Sequence, residues 1–144
     1  MEKKNICGEI RITSNLIRRK TFSFEGFDNI SSILGSQGYI IKYLADNKDS
    51  DIYQKDIEKK FKVRRSTVTS AINRMEKGGL VVRESVERDN RLKRINLTDK
   101  GWCVHMKIEK EIKKTEAQIL KALTKEEVEV FYNIIKKMQS TIED

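Results

Sequence analysis

Between Ile52 and Gly101 the hydrophobic period of the chain switches from helical to alternating, and that switch restricts what it can fold into. From Arg65 to Lys77 apolar residues recur at helical spacing. At about 100° per residue, Val68, Ile72 and Met75 share one face. Gly78-Gly79 then predicts a stop, because glycine readily takes the left-handed conformation of a helix C-cap. Leu80-Val81-Val82-Arg83-Glu84-Ser85-Val86 is β-rich, and Lys93-Arg94-Ile95-Asn96-Leu97 alternates polar with apolar. The two runs predict a hairpin, or wing. Upstream, Ile52–Lys60 predicts a short helix packed through Ile57 and Phe61, and Val63-Arg64 a turn. The segment reads as helix, turn, helix, hairpin.

The remainder predicts helices. Asn5 to about Arg19 places Ile6, Ile10 and Leu16/Ile17 on roughly one side, and Thr21–Ser31, with Phe22, Phe24 and Phe27, reads as a loop. A second helix starts at about Ser32 or Leu34 and runs to Asn47, with Ile40, Ile41 and Leu44 inward. The polar stretch Asp46–Asp51 connects it onward. Thr98 is the expected N-cap of a long helix carrying Ile108, Ile112, Ile119 and Leu123. Thr124-Lys125-Glu126-Glu127 is a capping box for a last helix, in which Val128, Phe131, Ile135, Met138 and Ile142 form a coiled-coil-like seam. Proline is absent, so nothing interrupts long helices. The expected class is mainly α with a small β-wing (α+β), and 144 residues suit a single domain, 1–144.

Charge is uneven along the chain. Residues 52–101 hold 14 Lys/Arg and 7 Asp/Glu, a net +7, of a total of +8. A basic balance alone describes many soluble proteins, and a charge run is usually a solvated face. Here the excess is concentrated on one patterned segment, the footprint expected of a surface that meets phosphate. The face of the Arg65–Lys77 helix opposite its apolar stripe carries Ser66, Ser70, Asn73 and Lys77, with Thr69 on the flank. Ser, Thr and Asn are mediocre helix formers. They suit a helix that must approach base edges closely: short hydroxyls can donate or accept, and Asn can pair bidentately with adenine. Arg88, Arg91, Lys93 and Arg94 crowd the hairpin tip, where a narrow minor groove would offset their mutual repulsion. Asp89, two residues from Arg91, can hold that guanidinium or simply cap the turn. The candidate DNA-binding set is Arg65, Ser66, Thr67, Thr69, Ser70, Asn73, Arg88, Asp89, Arg91 and Lys93.

Tyr53-Gln54-Lys55-Asp56-Ile57, Ser66-Thr67-Val68-Thr69, Arg74–Val81, Asp89-Asn90-Arg91 and Leu97-Thr98-Asp99-Lys100-Gly101 resemble the multiple-antibiotic-resistance regulator (MarR) family. Gln37, Ile41 and Leu44 in the second helix extend the resemblance, and its most specific part is D-x-R followed by L-T-x-x-G. The resemblance implies a homodimeric winged helix–turn–helix regulator, usually a repressor. Residues 1–31 and 102–144 would supply the dimerisation helices and 32–101 the DNA-binding lobe, with Arg91 entering the minor groove. It also implies a small aromatic or phenolic effector, bound between the dimerisation helices and the DNA-binding lobe. Two positions depart from the pattern: Arg64 replaces a capping Asp or Ser, and Leu34 a helix-starting Thr or Ser.

One branch of that family answers to peroxides through a cysteine in the first helix. Cys7 falls about one turn too early for that role, with no aromatic hydroxyl near it in sequence, and reads as packed or inert; Cys103, beside Trp102, reads as core. His105 is the only histidine, so no His-based metal cluster or triad is expected. The Phe22, Phe24 and Phe27 set and Tyr39 with Tyr43 read as core anchors sooner than as an effector pocket. No Gly-rich phosphate loop, nucleophile–base pair or metal-ligand spacing is present, so no enzyme and no cofactor is expected. The rival reading is a winged-helix protein–protein or RNA-binding module, which would favour an apolar or aromatic recognition face. The first residues do not read as a signal peptide and no apolar run reaches the length of a membrane span; the expected compartment is the cytoplasm.

Overall fold

The structure is a computed structural model that describes residues 3–22, 38–86 and 88–143. The expectations for Phe24, Phe27, Leu34 and Gln37, for the side chain of Phe22 and for the start of the second helix lie outside the described residues. The chain divides into two compact units, Met1–Glu111 and Ile112–Asp144. Among the described residues the helices are α1 (Ile6–Phe22), α2 (Gly38–Asp46), α3 (Gln54–Phe61), α4 (Arg65–Lys77), α5 (Asp99–Lys121) and α6 (Lys125–Ile142). Between α4 and α5 lie β1 (Val81–Val86) and β2 (Asp89–Leu97). The class is mainly α with one small antiparallel sheet, as the sequence predicts.

In the first unit α3 packs on α4, α4 on β1, and both α2 and α3 on β2. The core lies among them. Ile41, Ile57, Ile72, Met75 and Leu80 are fully buried, and α5 adds Val104 and Ile108. Each such aliphatic side chain stabilises the lobe by about 1.5–3 kcal/mol relative to exposure. Tyr43 from α2 meets Phe61 at the end of α3 edge-on, with ring centroids 5.8 Å apart, an anchoring role of the kind expected for it.

α3 begins two residues later than its apolar spacing suggests. Ile52 and Tyr53 are extended and pair with β2: the Ile95 N–H donates to the Ile52 carbonyl at 2.8 Å, and Tyr53 bridges Arg94. Asp56 then accepts from the Tyr53 N–H at 2.8 Å and starts the helix. Lys62 ends α3 in the left-handed conformation (φ 53°). α4 covers the expected residues, with Val68, Ala71, Ile72 and Met75 buried. It closes in a Schellman turn. Leu80 N–H donates to Met75 and Gly79 N–H to Glu76, while Gly79 takes φ 76°.

The hairpin registers Val81 opposite Leu97 through Ser85 opposite Lys93, then shifts so that Val86 faces Asp89. β2 therefore starts earlier than its alternating run implies, and Asn90, Arg91 and Leu92 intervene as a bulge. Cys103 is exposed, a correction to its expected core position. Its neighbours Gly101 and Val104 face inward, and one residue of helix rotates Cys103 away from them. Cys7 is exposed too, so no packing holds it in this chain. In the second unit Thr124 and Glu127 cap α6 reciprocally, at 3.1 and 2.8 Å.

The end of the wing and the start of α5 meet the end of α4. Thr98 N–H donates to the Leu80 carbonyl at 3.1 Å, and the Thr98 hydroxyl donates to the Gly79 carbonyl. The same hydroxyl accepts from Gly101 N–H at 3.0 Å, which makes Thr98 the N-cap of α5, while Lys100 Nζ donates to Gly78 O at 2.9 Å. A Cβ at Gly101 would stand 2.2 Å from the Leu80 carbonyl oxygen, so only glycine permits this approach. Gly101→Ala should cost about 1–3 kcal/mol, the usual cost of forced overpacking, read as a lower urea midpoint at constant m-value. An unchanged midpoint would show the junction to be loose.

Candidate nucleic-acid interface

α4 and the wing enclose an open hollow of about 610 Å³. Arg65 and Thr69 line it from α4, Arg83 from β1, and Arg91, Leu92 and Lys93 from β2; Tyr53, Gln54, Lys55 and Glu58 close the α3 side. Five cations face one carboxylate there. Of the sequence-predicted set, the hollow gathers Arg65, Thr69, Arg91 and Lys93. Ser66, Thr67, Ser70 and Asn73 are exposed along α4, and Arg88 at the tip is exposed as well.

Most of these side chains are already held. Gln54 Nε2 donates to Thr69 Oγ1 at 2.6 Å and reaches the Arg65 carbonyl at 3.4 Å. Arg74 donates to Ser70 Oγ at 3.3 Å. Arg83, whose side chain is 24% exposed, donates to Asn73 Oδ1 at 2.8 Å and pairs with Glu76 at 3.2 Å. Lys93 donates to Ser85 Oγ, and Arg88 reaches the Tyr53 hydroxyl at 3.5 Å. No side chain caps α4 at Arg64, and its first turn carries no acid. Its leading N–H groups keep the positive end of the helix dipole uncompensated.

The wing tip is built on Asp89, which accepts from the Arg91 N–H at 2.9 Å and from Arg91 Nε at 3.5 Å. The backbone bond is the firm one, so Asp89 shapes the turn first and touches the guanidinium second. The Arg91 side chain is 94% exposed and projects from the bulge. Arg94 does not belong to the cationic tip that its sequence position implies. It pairs across the hairpin with Glu84 at 3.0 Å and with Asp51 at 3.4 Å, and those two partners, Glu84 foremost, raise its pKa.

Gln54 and Arg83 lie outside the sequence-predicted set because they come from elements flanking α4. A hairpin register would have exposed Arg83: it lies opposite Ile95, on the side of the strand pair that faces the hollow. Among the described residues no group of three or more His, Cys, Asp or Glu is placed to hold a metal ion, and no helix is long and apolar enough to cross a membrane.

A model of the MarR family matches residues 31–92. The transcription regulator MarR from Oenococcus oeni PSU-1 is 29% identical and superposes with a TM-score of 0.74, over 94% of this chain and 99% of that one. The S. aureus MepR–DNA complex matches with a TM-score of 0.82 at 23% identity, covering 97% and 99%. PcaV from Streptomyces coelicolor, solved in complex with its natural ligand, gives 0.76 at 19% identity, covering 97% and 98%. The last two speak to the fold alone. With the D-x-R wing tip, the Thr98–Gly101 junction and the helix–turn–helix lobe in place, residues 31–92 match the MarR family and the chain shares the fold of its winged-helix regulators.

Proposed function

We propose that the chain is a homodimeric, DNA-binding transcription regulator, a repressor that reads a pseudo-palindromic operator. The observation that carries this is the pairing of one groove-sized helix face with one exposed arginine: α4 bears short polar side chains beside a cationic hollow, and Arg91 stands clear of the lobe. α4 would enter the major groove through Arg65, Ser66, Thr67, Thr69, Ser70 and Asn73. Arg91, with Arg88 and Lys93 nearby and Asp89 shaping the turn, would enter the adjacent minor groove. The relative solved with DNA supports this use of the fold, and the relative solved with its natural ligand supports a ligand-responsive regulator; the effector proposed for this chain is a small aromatic or phenolic molecule that releases the DNA. Residues 32–101 form the DNA-binding lobe in this reading, and 1–31 with 102–144 the dimerisation helices.

The dimer rests on apolar surface that the single chain leaves uncovered. α1 exposes Ile6, Ile10, Ile12 and Leu16. α6 buries no residue, and Phe131 and Ile142 of its seam are 54% and 79% exposed. Surfaces of this kind mark interaction sites, and a second copy across a two-fold axis would cover them. Light scattering at micromolar concentration should give a dimer; a stable monomer would remove the basis for paired half-sites.

Selection of bound fragments from genomic DNA should recover half-sites spaced by about 10 bp or a multiple of it. In salt-dependent gel shifts, duplex DNA should outcompete single-stranded RNA; preference for the RNA would favour the module reading instead. Arg91→Ala should weaken binding and flatten the salt slope by about one phosphate equivalent. Asp89→Ala removes a negative charge near DNA, yet it should weaken binding because the tip loses its preorganised turn. Asp89→Asn keeps the acceptor for the Arg91 N–H and should bind at least as well as the native chain. Tighter binding by Asp89→Ala at matched salt would show that the turn needs no aspartate.

A further inference from the structure

We infer that the groove side of α4 is polarised toward hydrogen-bond donation, so that it reads guanine, and that Arg83 sets this polarity at Asn73. The inference rests on the DNA-binding reading and adds to it a preferred base.

Five side chains on that face can both donate and accept, Ser66, Thr67, Thr69, Ser70 and Asn73, and the last three lie beside a neighbouring donor group. Each of these three already accepts from a neighbour, Thr69 from Gln54, Ser70 from Arg74 and Asn73 from Arg83. The polarity of these bonds is forced. A guanidinium only donates, so Oδ1 of Asn73 and Oγ of Ser70 must be the acceptors. The Gln54 amide is oriented by its second contact, since a backbone carbonyl at Arg65 accepts only from the Nε2 end. Each of these oxygens gives one lone pair to its neighbour and keeps one, while the Thr69 and Ser70 hydroxyl hydrogens and the Asn73 Nδ2 hydrogens are left for a base, so the balance of the three tilts toward donation.

Bidentate pairing of asparagine with adenine requires Oδ1 to accept from the adenine amino group. Arg83 competes for that oxygen at 2.8 Å, and its charge repels the amino hydrogens of adenine and cytosine alike. Glu76 holds the other edge of the guanidinium at 3.2 Å, which keeps Arg83 in place. Guanine presents N7 and O6, two acceptors side by side, and is the base such a face fits. Arg83 acts through Asn73 and is a positioning residue.

The test selects duplexes from a randomised library with the full-length protein, then measures affinity for the selected site at two salt concentrations. At least one guanine per half-site should face α4, and replacing it by 7-deazaguanine should weaken binding by roughly fivefold or more. Arg83→Met, which keeps the stem and loses the donors, should shift one base pair of the selected site toward adenine. Arg83→Lys should restore guanine at that pair. The 7-deazaguanine measurement uses the native chain and stands whether or not the variants fold. Half-sites read through adenine or cytosine by the native protein, or an unchanged base preference in folded Arg83→Met, would overturn the inference while leaving DNA binding intact. Retention of no duplex at all by the native protein would overturn the DNA-binding reading itself, and this inference with it.

Discussion

The Leu80 carbonyl is the point on which the geometry of the lobe turns. It follows the Schellman turn of α4, begins the wing, accepts from Thr98 at the end of the wing, and lies where a side chain at Gly101 would have to go. Four chain segments thereby share a few atoms of backbone. The direction of α4 and the plane of the hairpin are fixed at one place. A two-stranded ribbon is marginal in water by itself, and this one is held at its base by α4 and α5 and along β2 by Ile52 and Tyr53. What it carries at its tip can therefore point in a defined direction.

The polar face of α4 gains order by a different route. Serine, threonine and asparagine are weak helix formers with small side chains, and a helix surface of them would ordinarily hydrogen-bond to water in many arrangements. Gln54, Arg74 and Arg83 remove much of that freedom before any ligand arrives. Fewer rotamers remain to be frozen on binding, so less of the interaction is offset by lost entropy. The same arrangement explains why seven acids can occupy a basic segment. Glu76 and Glu84 brace arginines and Asp89 shapes a turn, so the carboxylates serve the geometry of the cations.

The readable parts of the sequence were those governed by local rules. The apolar stripe of α4, the Gly78-Gly79 stop, the Thr98 cap and the Thr124–Glu127 box follow from spacing and capping chemistry within a few residues. All four stand where that chemistry places them. What resisted reading depends on neighbours distant in sequence. Ile52 looks like the first residue of a helix until β2 arrives beside it, 43 residues later in the case of Ile95. Arg94 looks like one more cation at the tip until the register pairs it with Glu84 and brings Asp51 near. Arg83 and Gln54 were unremarkable as single letters. Their meaning lies in what they hold, and no motif of α4 contains them.

The bulge between Ser85 and Lys93 separates two properties that a plain hairpin would bind together. Residues 93–97 keep the regular ladder and the contacts to Ile52 and Tyr53, whereas Asn90, Arg91 and Leu92 have no regular partner on β1. Those three positions lie outside the ladder. A lobe built this way can vary its tip while its frame stays the same.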